Sequence, residues 1–197
     1  MNRRVLFALC AVVFLGLAGV AAWRVWGGSA PAPAGVASIG GPFALVDTRG
    51  APVTERSLLG KPTVIFFGFT YCPEVCPTTL TELTAAMREL GPAADRLNVV
   101  FVTIDPERDT PQQLKLYLSN FDPRIQGYTG TPEQVARIAK AYRVYYAKVP
   151  QPGGSYTMDH SSMVYLFDTK GRFVQPIAYG SPHERVMAQL RDLLSGQ

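Results

Sequence analysis

The sequence predicts an α/β domain, with a central mixed sheet flanked by helices, behind an N-terminal transmembrane helix. Three observations carry that expectation. The runs Thr63–Phe69 and Asn98–Ile104 are nearly unbroken β-branched and aromatic sequence, the pattern of strands buried on both faces. Helical stripes of leucine and methionine follow, each opened by a start signal. Nineteen uncharged residues, Val5 to Trp23, stand behind Arg3 and Arg4.

The N-terminal run would be roughly 28 Å long as a helix, close to the hydrocarbon thickness of a bilayer. Trp23 and Trp26 fit an interfacial belt, and the paired arginines predict an N-terminus that stays cytoplasmic. A cleaved signal peptide is the competing reading, for which a shorter apolar run suffices. Cys10 follows Leu9 rather than a small residue, which disfavours lipidation and leaves Cys10 as an apolar side chain of the anchor. The segment Gly27-Gly-Ser-Ala-Pro-Ala-Pro-Ala-Gly35 reads as a semi-extended tether. The expected organisation is cytoplasmic N-terminus and anchor at 1–26, tether at 27–38 and folded domain at 39–197.

Within the domain, Phe43–Asp47 reads as a strand closed by a turn at Thr48-Arg-Gly50, and Thr63–Phe69 as the first fully buried strand. Pro77–Leu90 places Leu80, Leu83, Met87 and Leu90 on one helical face and ends at Gly91-Pro92. Asn98–Ile104 is the second buried strand, closed by Asp105-Pro106. Thr110-Pro111 and Thr131-Pro132 each open a helix with an N-cap threonine and a first-turn proline, the second running to about Tyr142. Val144–Val149 reads as a strand, Ser162–Asp168 and Arg172–Ile177 as a hairpin, and Ser181-Pro-His-Glu as the start of a last helix. A βαβ unit followed by a ββα unit is a thioredoxin-like order.

Hydrophobic content of 47% and charged content of 17% describe a foldable chain of 197 residues, with a formal net charge of +4. Lysine and arginine are scattered singly, so no basic run tracks a phosphate backbone and nucleic acid is excluded as a partner.

Chemistry concentrates at Cys72 and Cys76, between the first buried strand and the first helix. Such a pair can form a disulfide, attack an electrophile or bind a soft metal. Two inert core thiols are the plain alternative, though flanking prolines favour an exposed loop. Three residues separate the pair, wider than the two of thioredoxin-type enzymes. Cys76 is expected at a helix N-terminus, where partial positive charge lowers a thiol pKa. Export into an oxidising compartment would close a free pair unless a reductant or metal intervened.

His160, just before the predicted hairpin, falls beside that helix start in a thioredoxin-like layout and is a candidate third ligand for copper(I), which favours thiolate and imidazole. Asp105 ends the second strand on the cysteine edge, either orienting a ligand or partner or serving as a turn residue. His183 is expected at the surface and Glu74 as a solvating loop charge. Met158 and Met163 could serve as thioether ligands for copper(I), but neither is favoured, and Met163 alternates with Tyr165 as a core strand residue would.

Three motifs in order, Cys72-Pro-Glu-Val-Cys-Pro77, Asp105-Pro-Glu-Arg-Asp-Thr-Pro111 and Asp159-His160-Ser161 with Tyr165-Leu166, resemble the Sco/SenC family over about Ile39 to Leu194. The resemblance implies a membrane-anchored, thioredoxin-like copper chaperone for cytochrome c oxidase assembly, with copper (Cu(I) and/or Cu(II)) on Cys72, Cys76 and His160 and with Asp105 in support. It implies a carrier rather than a catalyst, in the bacterial inner membrane with a periplasmic domain. Its implied acceptor is cytochrome c oxidase subunit II, with another copper chaperone or a thiol reductase as further partners. The alternative is an exported thiol-disulfide oxidoreductase using Cys72 and Cys76 as a redox-active pair. A peroxiredoxin-like reading is disfavoured, because Phe69-Thr-Tyr-Cys72 lacks the expected proline.

Overall fold

The computed structural model describes residues 39–196. The expected anchor, tether and Cys10 lie outside these residues. Among the described residues no helix is long and apolar enough to cross a membrane.

Nine strands and four α-helices alternate: β1 (Ala44–Asp47), β2 (Pro52–Thr54), β3 (Thr63–Gly68), α1 (Val75–Leu90), β4 (Asn98–Thr103), α2 (Pro111–Leu118), β5 (Ile125–Thr129), α3 (Pro132–Ala141), β6 (Tyr146–Pro150), β7 (Tyr156–His160), β8 (Val164–Phe167), β9 (Phe173–Ile177) and α4 (His183–Ser195). Seven strands form one mixed sheet in the order β2-β1-β5-β4-β3-β8-β9. Strands β3, β4 and β5 run parallel, while β8 joins β3 antiparallel. All six residues of β3 are buried, as its apolar run demands. Its aromatics lock the centre: Phe66 lies 5.8 Å from Phe101, and Phe67 meets Tyr165 edge-on at 5.9 Å.

The helix starts follow their sequence signals. Thr110 caps α2 by accepting from the Gln113 amide, and Thr131 with Gln134 forms a reciprocal capping box on α3. Helix α4 lies against α1, where Glu89 holds His183 at 2.8 Å and Arg191 at 2.9 Å. His183 is therefore a surface residue, as expected.

Strands β2 and β7 were not expected from the sequence, and three further features depart from its reading. Strand β5 was not expected, because Gly127 interrupts its apolar pattern. Glycine there leaves room for two neighbouring side chains, since a Cβ would lie 2.6 Å from Leu118 Cδ1 and 2.9 Å from Thr48 Cγ2 and would force them to shift. The strand expected near Val144–Val149 forms as β6 but stands outside the main sheet, pairing antiparallel with β7 so that Tyr146 faces His160. Met163 precedes β8 and is 38% exposed rather than buried, because regular pairing starts only at Val164.

Candidate metal centre

Parallel strands β3 and β4 end together, with Gly68 opposite Thr103, and the chain leaving β3 turns at once into α1. Helix α1 starts at Val75, so Cys76 lies in its first turn and Cys72 in the loop before it. The Cys72 amide donates to the Phe69 carbonyl at 3.3 Å, closing the turn that carries the first thiol. Cys76 packs onto the end of β3. A Cβ at residue 68 would lie 2.7 Å from Cys76 Sγ and 2.8 Å from the Phe101 ring, so the sulfur occupies space that only glycine leaves. The pair is thus less exposed than the flanking prolines suggested: Cys72 is half-buried and Cys76 fully buried, both as free thiols.

His160 arrives from the other side, at the end of β7. Its Nδ1 lies 2.9 Å from the Ser161 carbonyl oxygen. A carbonyl only accepts, so Nδ1 carries a proton and Nε2 is the ring nitrogen that faces the sulfurs. Nε2 stands 3.8 Å from Cys76 Sγ, and Phe69 meets the imidazole edge-on at 5.8 Å. One ligand atom from each of Cys72, Cys76 and His160 lies within 4.8 Å of the others. Two sulfurs and one imidazole nitrogen form a soft donor set suited to copper or zinc rather than to magnesium or calcium.

The electrostatics assign different states to the two sulfurs. The Cys76 thiol donates to Cys72 and, with help from His160 and the backbone amides of Cys76 and Glu74, holds the Cys72 thiol down at about 4 against the opposing effect of burial. The Cys76 amide itself points at Cys72 Sγ from 3.4 Å. Cys76 is pushed up, first by its hydrogen bond to Cys72, then by burial and by the Cys72 charge. The hydrogen bond from the Cys76 thiol is the main cause of the lowering at Cys72, and the first-turn amide adds to it by aiming at the sulfur outside the helix rather than at Cys76. At neutral pH the pair is one thiolate and one thiol sharing a proton.

Asp105 makes no hydrogen bond to the three donors. Its buried carboxylate takes Nε of Arg108 and, at 2.8 Å, the hydroxyl of Tyr156 on β7, so it braces the histidine-bearing strand. Asp109, not singled out by the sequence, is also fully buried. It accepts from the Thr70 amide (3.0 Å), the Thr70 hydroxyl (2.6 Å) and the Thr103 hydroxyl (2.6 Å), tying the cysteine loop to the end of β4. Burial pushes its carboxyl up, while the Thr103 and Thr70 hydroxyls pull the other way. The signal for Asp109 lay inside Asp105-Pro-Glu-Arg-Asp-Thr-Pro111, but its acids read equally well as solvated turn residues. Glu74 is exposed, as expected, while Met158 is buried.

Comparison with known proteins agrees with this geometry. Residues 31–195 match the sequence model of the SCO1/SenC family. The mitochondrial SCO1 homolog 1 of Arabidopsis thaliana is 43% identical over 152 residues, covering 77% of this chain and 45% of that protein. Protein SenC of Rhodobacter capsulatus is 42% identical over 139 residues, covering 70% of this chain and 62% of that protein. The chain spans about half the length of the mitochondrial relatives it matches. The structure of Bradyrhizobium japonicum ScoI with copper bound superposes with a TM-score of 0.75 at 49% identity, covering 79% of this chain and 99% of that one. Yeast Sco1 with copper bound gives 0.75 at 39% identity, covering 81% and 90%. With the cysteine pair, the histidine and the sheet that brings them together all in place, the chain belongs to the SCO1/SenC family.

Proposed function

We propose that this protein is a copper carrier that holds one ion on Cys72, Cys76 and His160. It delivers the ion to the binuclear copper site of cytochrome c oxidase subunit II. The observation that carries the reading is the convergence of two sulfurs and an imidazole nitrogen within 4.8 Å, in a fold whose relatives have been solved with copper bound. The Cys72 thiol is held down at about 4 while Cys76 keeps its proton, so loading both sulfurs as thiolates displaces the Cys76 proton. The apolar run at 5–23 anchors the domain to the bacterial inner membrane with the carrier on the periplasmic side, and a short tether keeps donor near acceptor at raised effective concentration.

Anaerobic copper(I) titration of the reduced protein, alongside Cys72→Ala, Cys76→Ala and His160→Ala, tests the site. One tightly held ion that either cysteine substitution abolishes and His160→Ala weakens is the expected result. Tight binding that survives all three would sink the assignment.

One observation favours a second reading. A half-buried thiolate backed by a buried thiol is also the arrangement of a dithiol reductase, in which Cys72 attacks a substrate disulfide and Cys76 resolves the mixed disulfide. The protein would then keep the acceptor's cysteines reduced. Turnover in a disulfide reductase assay by a protein that binds no copper would select this reading.

A further inference from the structure

The site is assembled from two bodies, and the polar ties between them gather in one short segment. Among the described residues, the hydrogen bonds from β6–β7 to the strand and helix framework run to Asp105, Glu107 and Arg108, apart from the Cys76–His160 contact itself. Lys148 to Glu107 is an exposed ion pair, a weak tie in water. Arg108 is different. Its Nε reaches the buried Asp105 carboxylate and its Nη1 donates to the Tyr156 carbonyl at 2.9 Å. Its guanidinium lies 3.8 Å from the Tyr156 ring centroid on the histidine side and 4.6 Å from that of Tyr71, the neighbour of Cys72, on the cysteine side. Phe69, which meets the His160 ring, stands 5.9 Å away. Each stacking contact is a cation–π attraction strengthened by partial desolvation, and lysine cannot reproduce the planar fork that makes them all at once.

We propose that Arg108 is the latch that holds the histidine-bearing ribbon against the cysteine loop. It is a positioning residue for the metal centre that acts through Tyr156 and Tyr71. The inference rests on the copper-carrier reading for its consequence, and on contacts within the chain for its existence. Releasing the latch frees His160 while leaving both sulfurs in place, so a three-ligand site becomes a two-thiolate site from which a partner can take the ion. The latch is also incompletely satisfied, because Arg108 Nη2 is buried with no hydrogen-bond partner among the described residues. Opening lets that donor reach water, which lowers the cost of release.

The test uses the full chain in detergent with Arg108→Met and Arg108→Lys. In metal-free protein, amide hydrogen exchange over Tyr146–His160 should accelerate by about ten- to a hundredfold in Arg108→Met, the scale of a lost charge-assisted hydrogen bond, with β3 and β4 unchanged. In copper(II)-loaded protein the nitrogen coupling in the electron paramagnetic spectrum should weaken and affinity should fall by about 10–100-fold. Arg108→Lys should fall between. Exchange and nitrogen coupling that match the parent would overturn the latch, as would acceleration spread equally over β3 and β4. Should the parent bind no copper at all, the carrier reading fails, and the metal-free exchange still decides the latch.

Discussion

Strand β3, which leads to the cysteines, and strand β7, which carries the histidine, are held by the rest of the molecule in different ways. Every residue of Thr63–Gly68 is buried between two neighbouring strands, and the sulfur beyond it sits against Gly68 and Phe101. Strand β7 pairs only with β6, and both Asp159 beside the ligand and Val149 across the ribbon are exposed. The Cys76 thiol is therefore part of the core with Cys72 packed against it, whereas the imidazole is brought to them on a separate strand pair. If the site carries an ion as proposed, this asymmetry lets the histidine leave without disturbing the strands that hold the sulfurs.

The comparison breaks first at Phe101, whose ring fills the space beneath the cysteine loop. Phe101→Ala should cost about 3–5 kcal/mol by denaturant titration. A cost near zero would mean that the cysteine side is no firmer than the ribbon. Asp109→Asn comes next. It replaces a carboxylate that accepts three hydrogen bonds by an amide with one acceptor oxygen, leaving a buried donor short, at a cost of about 1–3 kcal/mol.

Proton release sharpens the contrast between the sulfurs. With Cys72 ionised above about 4 and Cys76 still protonated, copper(I) affinity should rise about tenfold per pH unit between pH 7 and 9. Alkylation at pH 6 should label Cys72 and spare Cys76. A flat affinity profile, or equal labelling, would show that the two thiols are equivalent after all. The smallest effect belongs to the ribbon. Val149→Thr, at a position 41% exposed, should change global stability by less than about 0.5 kcal/mol. A cooperative loss of several times that size would place β6 in the core.

The same asymmetry explains what could be read from the chain alone. Strands β3 and β4 announce themselves because burial on both faces forces continuous apolar sequence, and the threonine-proline starts of α2 and α3 are local chemistry. Cys72, Cys76 and His160 stand out because few residue types bind soft metals. Strand β7 is harder to find, since Tyr156-Thr-Met-Asp-His160 lacks a clean apolar alternation and needs only one partner strand. Arg108 and Asp109 escape notice for another reason. Their roles come from contacts 39 to 48 residues distant, with Thr70 and Tyr156, which no local pattern encodes.

The seven-stranded sheet closes without any contribution from residues 146–160. His160 is thus carried on an accessory hairpin between α3 and β8. For protein engineering the hairpin is an exchangeable cartridge. A hairpin that keeps Met158 in the core but ends in methionine, aspartate or a second cysteine would present a different donor to the two sulfurs, with the seven-stranded sheet left as it stands.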